Sequence, residues 1–207
     1  MTQVEKDYQR KSGILGLMSA IIFMLALVFF GFLNPEFSFV EDFVSKLGAK
    51  GEPNAIWWNI IGFGLVGLVL FGFGIFYGKL LKDQFAGLLL ASFGVGFSFT
   101  AFPMDMMDAN ADVSKAHVLA ICLALASWLF GLARISSNAL ISKKIRNRAN
   151  ITAFLVVTPM IGFVLGFWSM PITHRLVFIV VFGWTAFTSI ELLMMQNKAL
   201  KLAPKEI

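Results

Sequence analysis

The chain has 207 residues, 58% of them apolar and 14% charged, with 23 Phe, 18 Gly and a formal charge of +5. Ordinary globular domains carry about a quarter charged residues and disordered chains carry few aromatics, so this composition excludes both. The 17 Lys and Arg are dispersed between apolar runs, which argues against nucleic acid as a partner and for anionic lipid headgroups.

A helix that crosses the hydrocarbon layer needs about 20 mostly apolar residues. Six stretches qualify, at roughly 13–33, 56–78, 85–102, 117–135, 151–170 and 175–195. Continuous runs without period-two alternation exclude a β-barrel, so the predicted fold is all-α: one polytopic integral membrane domain of six transmembrane helices. Lys6, Arg10 and Lys11 precede the first run as they would in a signal peptide. Its apolar core is too long for one, and Phe29 to Pro35 offers no small-x-small cleavage site, so this run is expected to be a retained span.

In the loop after the first run, Phe39, Val40, Phe43, Val44 and Leu47 recur at helical spacing and Gly48 follows as a C-cap. This pattern predicts a short outer interfacial helix with Glu41, Asp42, Ser45 and Lys46 on its polar side. Trp57 and Trp58 then mark the interface where the second span begins. Glycines crowd the second and third spans, and Gly74/Gly78 and Gly162/Gly166 have GxxxG spacing, read here as packing within the chain. Cys122 has no partner and reads as a buried small apolar residue. Pro159, preceded by Thr158, should kink the fifth span and free the Leu155 carbonyl.

Assigning Lys and Arg to alternate loops puts thirteen on the side of the termini (Lys6, Arg10, Lys11, Lys79, Lys82, Arg134, Lys143, Lys144, Arg146, Arg148, Lys198, Lys201, Lys205) against four opposite (Lys46, Lys50, Lys115, Arg175). The positive-inside rule then predicts both termini in the cytoplasm and the chain in the inner or plasma membrane. The opposite side is acidic, carrying Glu36, Glu41, Asp42, Glu52, Asp105, Asp108 and Asp112.

The only two histidines, His117 and His174, both fall at the outer beginnings of spans. Asp105 closes the third span at that level, Arg175 adjoins His174, and the first loop brings Asp42 and Ser45 to the same surface. Ionisable groups near membrane depth are costly unless paired or hydrated, which makes these positions the candidate site. One reading is a metal centre, with His117, His174 and Asp105 or Asp42 as ligands to an ion such as zinc and an open position for water. Ser45 or the metal-bound water would then attack a lipid ester or amide, making the protein a hydrolase or transferase. In the plainer reading these side chains form an outward polar pocket for a lipid headgroup, small ligand or membrane partner, each His bonding to Asp105 or a backbone carbonyl. A third reading is a proton-coupled transporter, with a polar route running from His117 and Asp105 towards Glu191. Glu191 lies about 25 Å below His174 at 1.5 Å per residue and is expected to snorkel or to pair with a cation such as Arg134. One histidine pair does not make a transmembrane haem chain, and Asp108, Asn110 and Asp112 lack the Gly and Glu of a calcium loop.

The segments Val44-Ser45-Lys46-Leu47-Gly48-Ala49, Gly51-Glu52-Pro53-Asn54-Ala55 with Asn59, Phe102-Pro103-Met104-Asp105 and His117 carry a family resemblance. Over essentially its whole length the chain resembles the prokaryotic membrane proteins called domain of unknown function 998. That resemblance implies six helices and draws attention to Ser45, Asn54, Asp105 and His117, without assigning any of them a role.

Overall fold

Helix α1 (Gln3–Leu33) begins at a capping box. The Thr2 hydroxyl accepts the Glu5 N–H at 3.2 Å, and the Glu5 carboxylate accepts the Thr2 N–H at 2.8 Å. The helix stops at Leu33, two residues before Pro35, whose ring disfavours helical backbone in Asn34. The computed structural model describes residues 1–108 and 110–202, with side chains described through Gln196. Beyond α1 it contains α2 (Ala55–Leu81), α3 (Gln84–Phe99), α4 (Asp112–Ser137), α5 (Lys143–Val164) and α6 (Met170–Leu202).

Five of the six helices are long and apolar enough to span a membrane. The exception is α3, whose 16 residues reach about 24 Å at 1.5 Å per residue, short of the ~30 Å hydrocarbon core. It ends before the expected position 102 because the chain passes into turns at Thr100, whose hydroxyl bonds to the Phe97 carbonyl at 2.6 Å, ahead of Pro103. The helix is the one most closely seated on its neighbour. Gly67, Gly74 and Gly78 of α2 face Gly94, Ala91 and Gly87 of α3, and a Cβ on any of the three would collide with the opposing backbone. The Gly74/Gly78 spacing thus serves packing within the chain, which is how small residues hold helices together where lipid offers no hydrophobic penalty.

Gly162 and Gly166 act differently. Gly166 takes φ +77° just past the end of α5, its N–H bonds to the Phe163 carbonyl, and the Phe167 N–H bonds to the Gly162 carbonyl. This Schellman closure needs glycine at its left-handed position and ends α5 six residues before the predicted boundary. Gly162 leaves room for the Trp168 indole, whose Nε1–H donates to the Pro159 carbonyl at 3.0 Å. Thr158 bonds to the Phe154 carbonyl at 2.9 Å.

Each helix packs on its sequence neighbours, and α6 returns to α1, closing a ring. Its interior is aromatic. Phe23 stacks on Phe182 with centroids 4.2 Å apart and meets Phe97 and Phe178 edge-on, while Trp128 stands perpendicular to Trp184 at 5.6 Å. Edge-to-face and offset ring pairs contribute about 0.5–1.5 kcal/mol each beyond burial. Outward-facing side chains such as Leu25, Phe32, Leu68 and Phe154 are also apolar, as a helical membrane bundle requires. Cys122 belongs to this outer surface: it is exposed, not buried as expected, because α4 turns Ala124 and Trp128 inward instead.

Ion pairs define one end of the bundle, where Glu5 meets Lys82 at 2.8 Å. Asp83 accepts from Arg134 Nε at 2.9 Å, from Asn138 Nδ2 at 2.7 Å, and from the Ala86 N–H that it caps at 3.1 Å. Burial alone pushes the Asp83 carboxyl up, but these three donors together with the Arg134 charge hold it below the usual carboxylate range. Glu191 therefore does not pair with Arg134. It meets Lys144 and Arg148 of α5, which stand one turn apart on the facing helix. Of the cations assigned to this end by sequence, the side chains of Lys198 and Lys201 and all of Lys205 lie outside the described residues.

Candidate functional site

The opposite end of the bundle carries the two long loops. The expected interfacial helix is reduced there to one 3-10 turn, Val44–Gly48, with Val44 and Leu47 buried and Val40 left exposed. Polar closures shorten it. Asp42 accepts the Ser38 N–H at 2.7 Å and pairs with Lys46 at 2.9 Å, so the backbone from 38 to 42 forms a turn. Burial raises the Asp42 carboxyl, and the Ser38 N–H and Lys46 outweigh it, leaving the group below its ordinary value.

The loop is pinned to the bundle at two points. Arg175 Nη2–H donates to the Ser38 carbonyl at 3.1 Å and Nη1–H to the Pro171 carbonyl at 3.1 Å, with the guanidinium over the Phe37 ring. Asn59 Nδ2–H donates to the Gly48 carbonyl at 2.8 Å. A Cβ on Gly48 would strike the Asn59 amide, so glycine here is what lets the two approach. Asn59 also opens a π-helical segment of α2, Asn59–Leu65, a wide turn of the kind found most often where a helix carries a local task.

Beneath the 3-10 turn, Ser45, Phe63, Thr100, His117, Ile121, His174 and Phe178 enclose a cavity of about 10 Å³, roughly the room of one water. His117 Nδ1 lies 3.2 Å from the Phe102 carbonyl, the backbone-carbonyl bond expected of it. The His174 ring sits between Phe43 and Phe178, with centroids at 5.7 and 5.0 Å. Buried His174 Nδ1, Asn59 Oδ1 and Trp58 Nε1 have no hydrogen-bond partner among the described residues. An unsatisfied buried polar group costs about 1–3 kcal/mol, so His174 Nδ1 leaves the cavity wall short of a polar partner.

Three of the predicted site residues therefore gather here, Ser45, His117 and His174, while Asn59 holds the 3-10 turn through the Gly48 carbonyl. Arg175 and Asp42 stand above them as fasteners of the loop. Asn54 is not part of the pocket, because it is exposed at φ +58°, the left-handed residue that reverses the chain into α2. Asp105 is also turned away. Its carboxylate accepts the N–H groups of Met107 and Asp108 at 3.0 and 3.3 Å and faces Lys50 at 3.7 Å, tying up its own loop. Among the described residues no three His, Cys, Asp or Glu side chains are grouped to hold a metal ion, so the zinc set of His117, His174 and Asp105 or Asp42 is not assembled.

Thr100 is not among the site residues that the sequence points to. Its hydroxyl does bond to its own helix, but its side chain forms part of the cavity wall. The single available signal was its position ahead of the Phe102-Pro103-Met104-Asp105 segment.

A family model described as "Protein of unknown function (DUF998)" matches residues 17–194, from within α1 into α6, and the chain belongs to that family. The matched stretch contains every candidate site residue. The curated proteins and the solved structures give no match to the chain.

Proposed function

We propose that this membrane protein is a binding module whose ligand, a small polar molecule or lipid headgroup, is taken up at the loop end by Ser45, Thr100, His117 and His174. The observation that carries the reading is the meeting of these side chains, from four separate segments, around one cavity whose wall includes His174, with its buried Nδ1 unpartnered among the described residues. Two imidazoles and two hydroxyls offer both donors and acceptors, which suits phosphate, alcohol or amine groups. A ligand larger than water enters only when the 3-10 turn lifts, so Arg175 and Asn59 govern access. With termini in the cytoplasm, as the distribution of cations indicates, the cavity faces outward.

The aromatic floor beneath the cavity favours binding over transport. Phe178 leads through Phe97 and Phe182 to Phe23, a layer of rings between the histidines and the Thr185, Thr188 and Ser189 hydroxyls further along α6. Isothermal titration of the full chain in nanodiscs with glycerol 3-phosphate, phosphoethanolamine and phosphocholine tests the proposal. Saturable binding of one of these, lost in Ser45→Leu, supports it; no binding of any of them counts against it.

A further inference from the structure

We propose a second site, independent of the first: the groove between α5 and α6 at the terminus end binds an anionic glycerophospholipid. Its acyl chain would lie along Leu155, Ile179, Gly183 and Phe187, with its phosphate at Arg148 and Lys144. The groove has a volume of about 360 Å³, within the ~300–1,000 Å³ range of ligand clefts, and it is open on the outer surface of the bundle, where Leu155, Ile179 and Phe187 are exposed. Helical spacing builds its walls. Lys144, Arg148, Thr152 and Leu155 follow one another along one face of α5, and Ile179, Gly183, Phe187 and Glu191 do the same on α6.

Two features make this more than a seam between helices. Gly183 has no side chain to fill the space, and a Cβ built there meets nothing within 4 Å, so the opening persists at the middle of the groove. At its terminus end Lys144 and Arg148 of α5 flank the single carboxylate of Glu191 in the described parts of the two helices. Two cations against one carboxylate leave this mouth with a net charge of +1. Arg148 is held at the mouth by Glu191 and by the Phe187 ring, 5.3 Å beneath its guanidinium carbon. A hydrocarbon-walled groove with excess positive charge at one end complements an amphiphile with an apolar chain and an anionic head. A zwitterionic head would bring its own ammonium into the same cations.

Native mass spectrometry of the full chain, released from detergent after incubation with dioleoyl phosphatidylglycerol or dioleoyl phosphatidylcholine, tests the proposal. Wild type is expected to retain one phosphatidylglycerol with about a tenfold preference over phosphatidylcholine. Gly183→Leu, whose Cβ has open space, projects a side chain into the groove and should abolish that retention. Arg148→Gln keeps the volume and should reduce the preference severalfold, which carries the test by itself if Gly183→Leu does not fold. Ser45→Leu, at the other end of the bundle, should retain the lipid as wild type does. Equal retention of the two lipids, wild-type retention by both groove variants, or loss in Ser45→Leu would overturn the assignment.

Discussion

Arg175, near the start of α6, donates to the carbonyl of Ser38, 137 residues earlier in the chain, and so ties the first long loop over the two histidines. A hydrogen bond from a charged donor contributes about 1.5–3 kcal/mol, so the fastening is strong enough to set how often the loop lifts. Arg175→Ala should raise the open fraction about tenfold or more. The check is the rate at which Ser45→Cys reacts with a water-soluble maleimide in a Cys122→Ser background, with and without Arg175→Ala. Equal rates would show that the loop is held by other contacts.

Asp83 joins three segments, and its loss should be costly. Asp83→Ala removes the cap of α3 and the acceptor for Arg134 and Asn138, which together predict a loss of roughly 2–4 kcal/mol. A thermal melt in detergent should place the Tm of Asp83→Ala well below that of wild type, whereas Asp7→Ala, which breaks an exposed pair with Lys11, should melt within about a degree of it.

The same carboxylate predicts a pH response. Its folded-state pKa is depressed, so its contribution is fully present above the unfolded value, near 4, and is lost as pH falls through the lower folded value. The wild-type Tm should be steady from about pH 8 to 5 and fall below about pH 4. Asp83→Asn should start lower and fall less in that acid window. A parallel decline of the two proteins would assign the acid sensitivity to other groups.

Two glycines should respond in opposite ways to a larger side chain. Gly78→Leu drives a Cβ into the Gly87 backbone and must separate α2 from α3, predicting at least the ~1–3 kcal/mol typical of overpacking. Gly183→Leu places its Cβ in open space and replaces a weak helix former, so its Tm should equal or exceed that of wild type. Size-exclusion profiles and melts of the two variants decide the comparison.

The helices were legible because lipid demands long apolar runs, and both histidines could be placed at one membrane depth by counting from the span ends. That Gly74 and Gly78 serve packing within the chain was legible from small-residue spacing, whereas the same spacing at Gly162 and Gly166 hid a helix terminus. The 39–47 stripe suggested a helix because periodicity does not register Asp42 capping Ser38, a local bond that turns the backbone first. Asp105 looked like a ligand because sequence gives its depth and not its direction. The pairing of Asp83 with Arg134 spans 51 residues, and Glu191 found Lys144 and Arg148 instead because α5 and α6 are neighbours in the ring.

The most direct test of the binding site uses the fact that the chain has two histidines and that both line the cavity. Selective ¹⁵N labelling of histidine side chains makes their NMR signals a report on that site alone. On titration of the nanodisc protein with glycerol 3-phosphate, phosphoethanolamine and phosphocholine, saturable shifts of both imidazoles with at least one compound are predicted, absent in Ser45→Leu. Imidazole signals that stay unmoved by all three, or that shift equally in wild type and Ser45→Leu, would contradict a ligand site at the cavity.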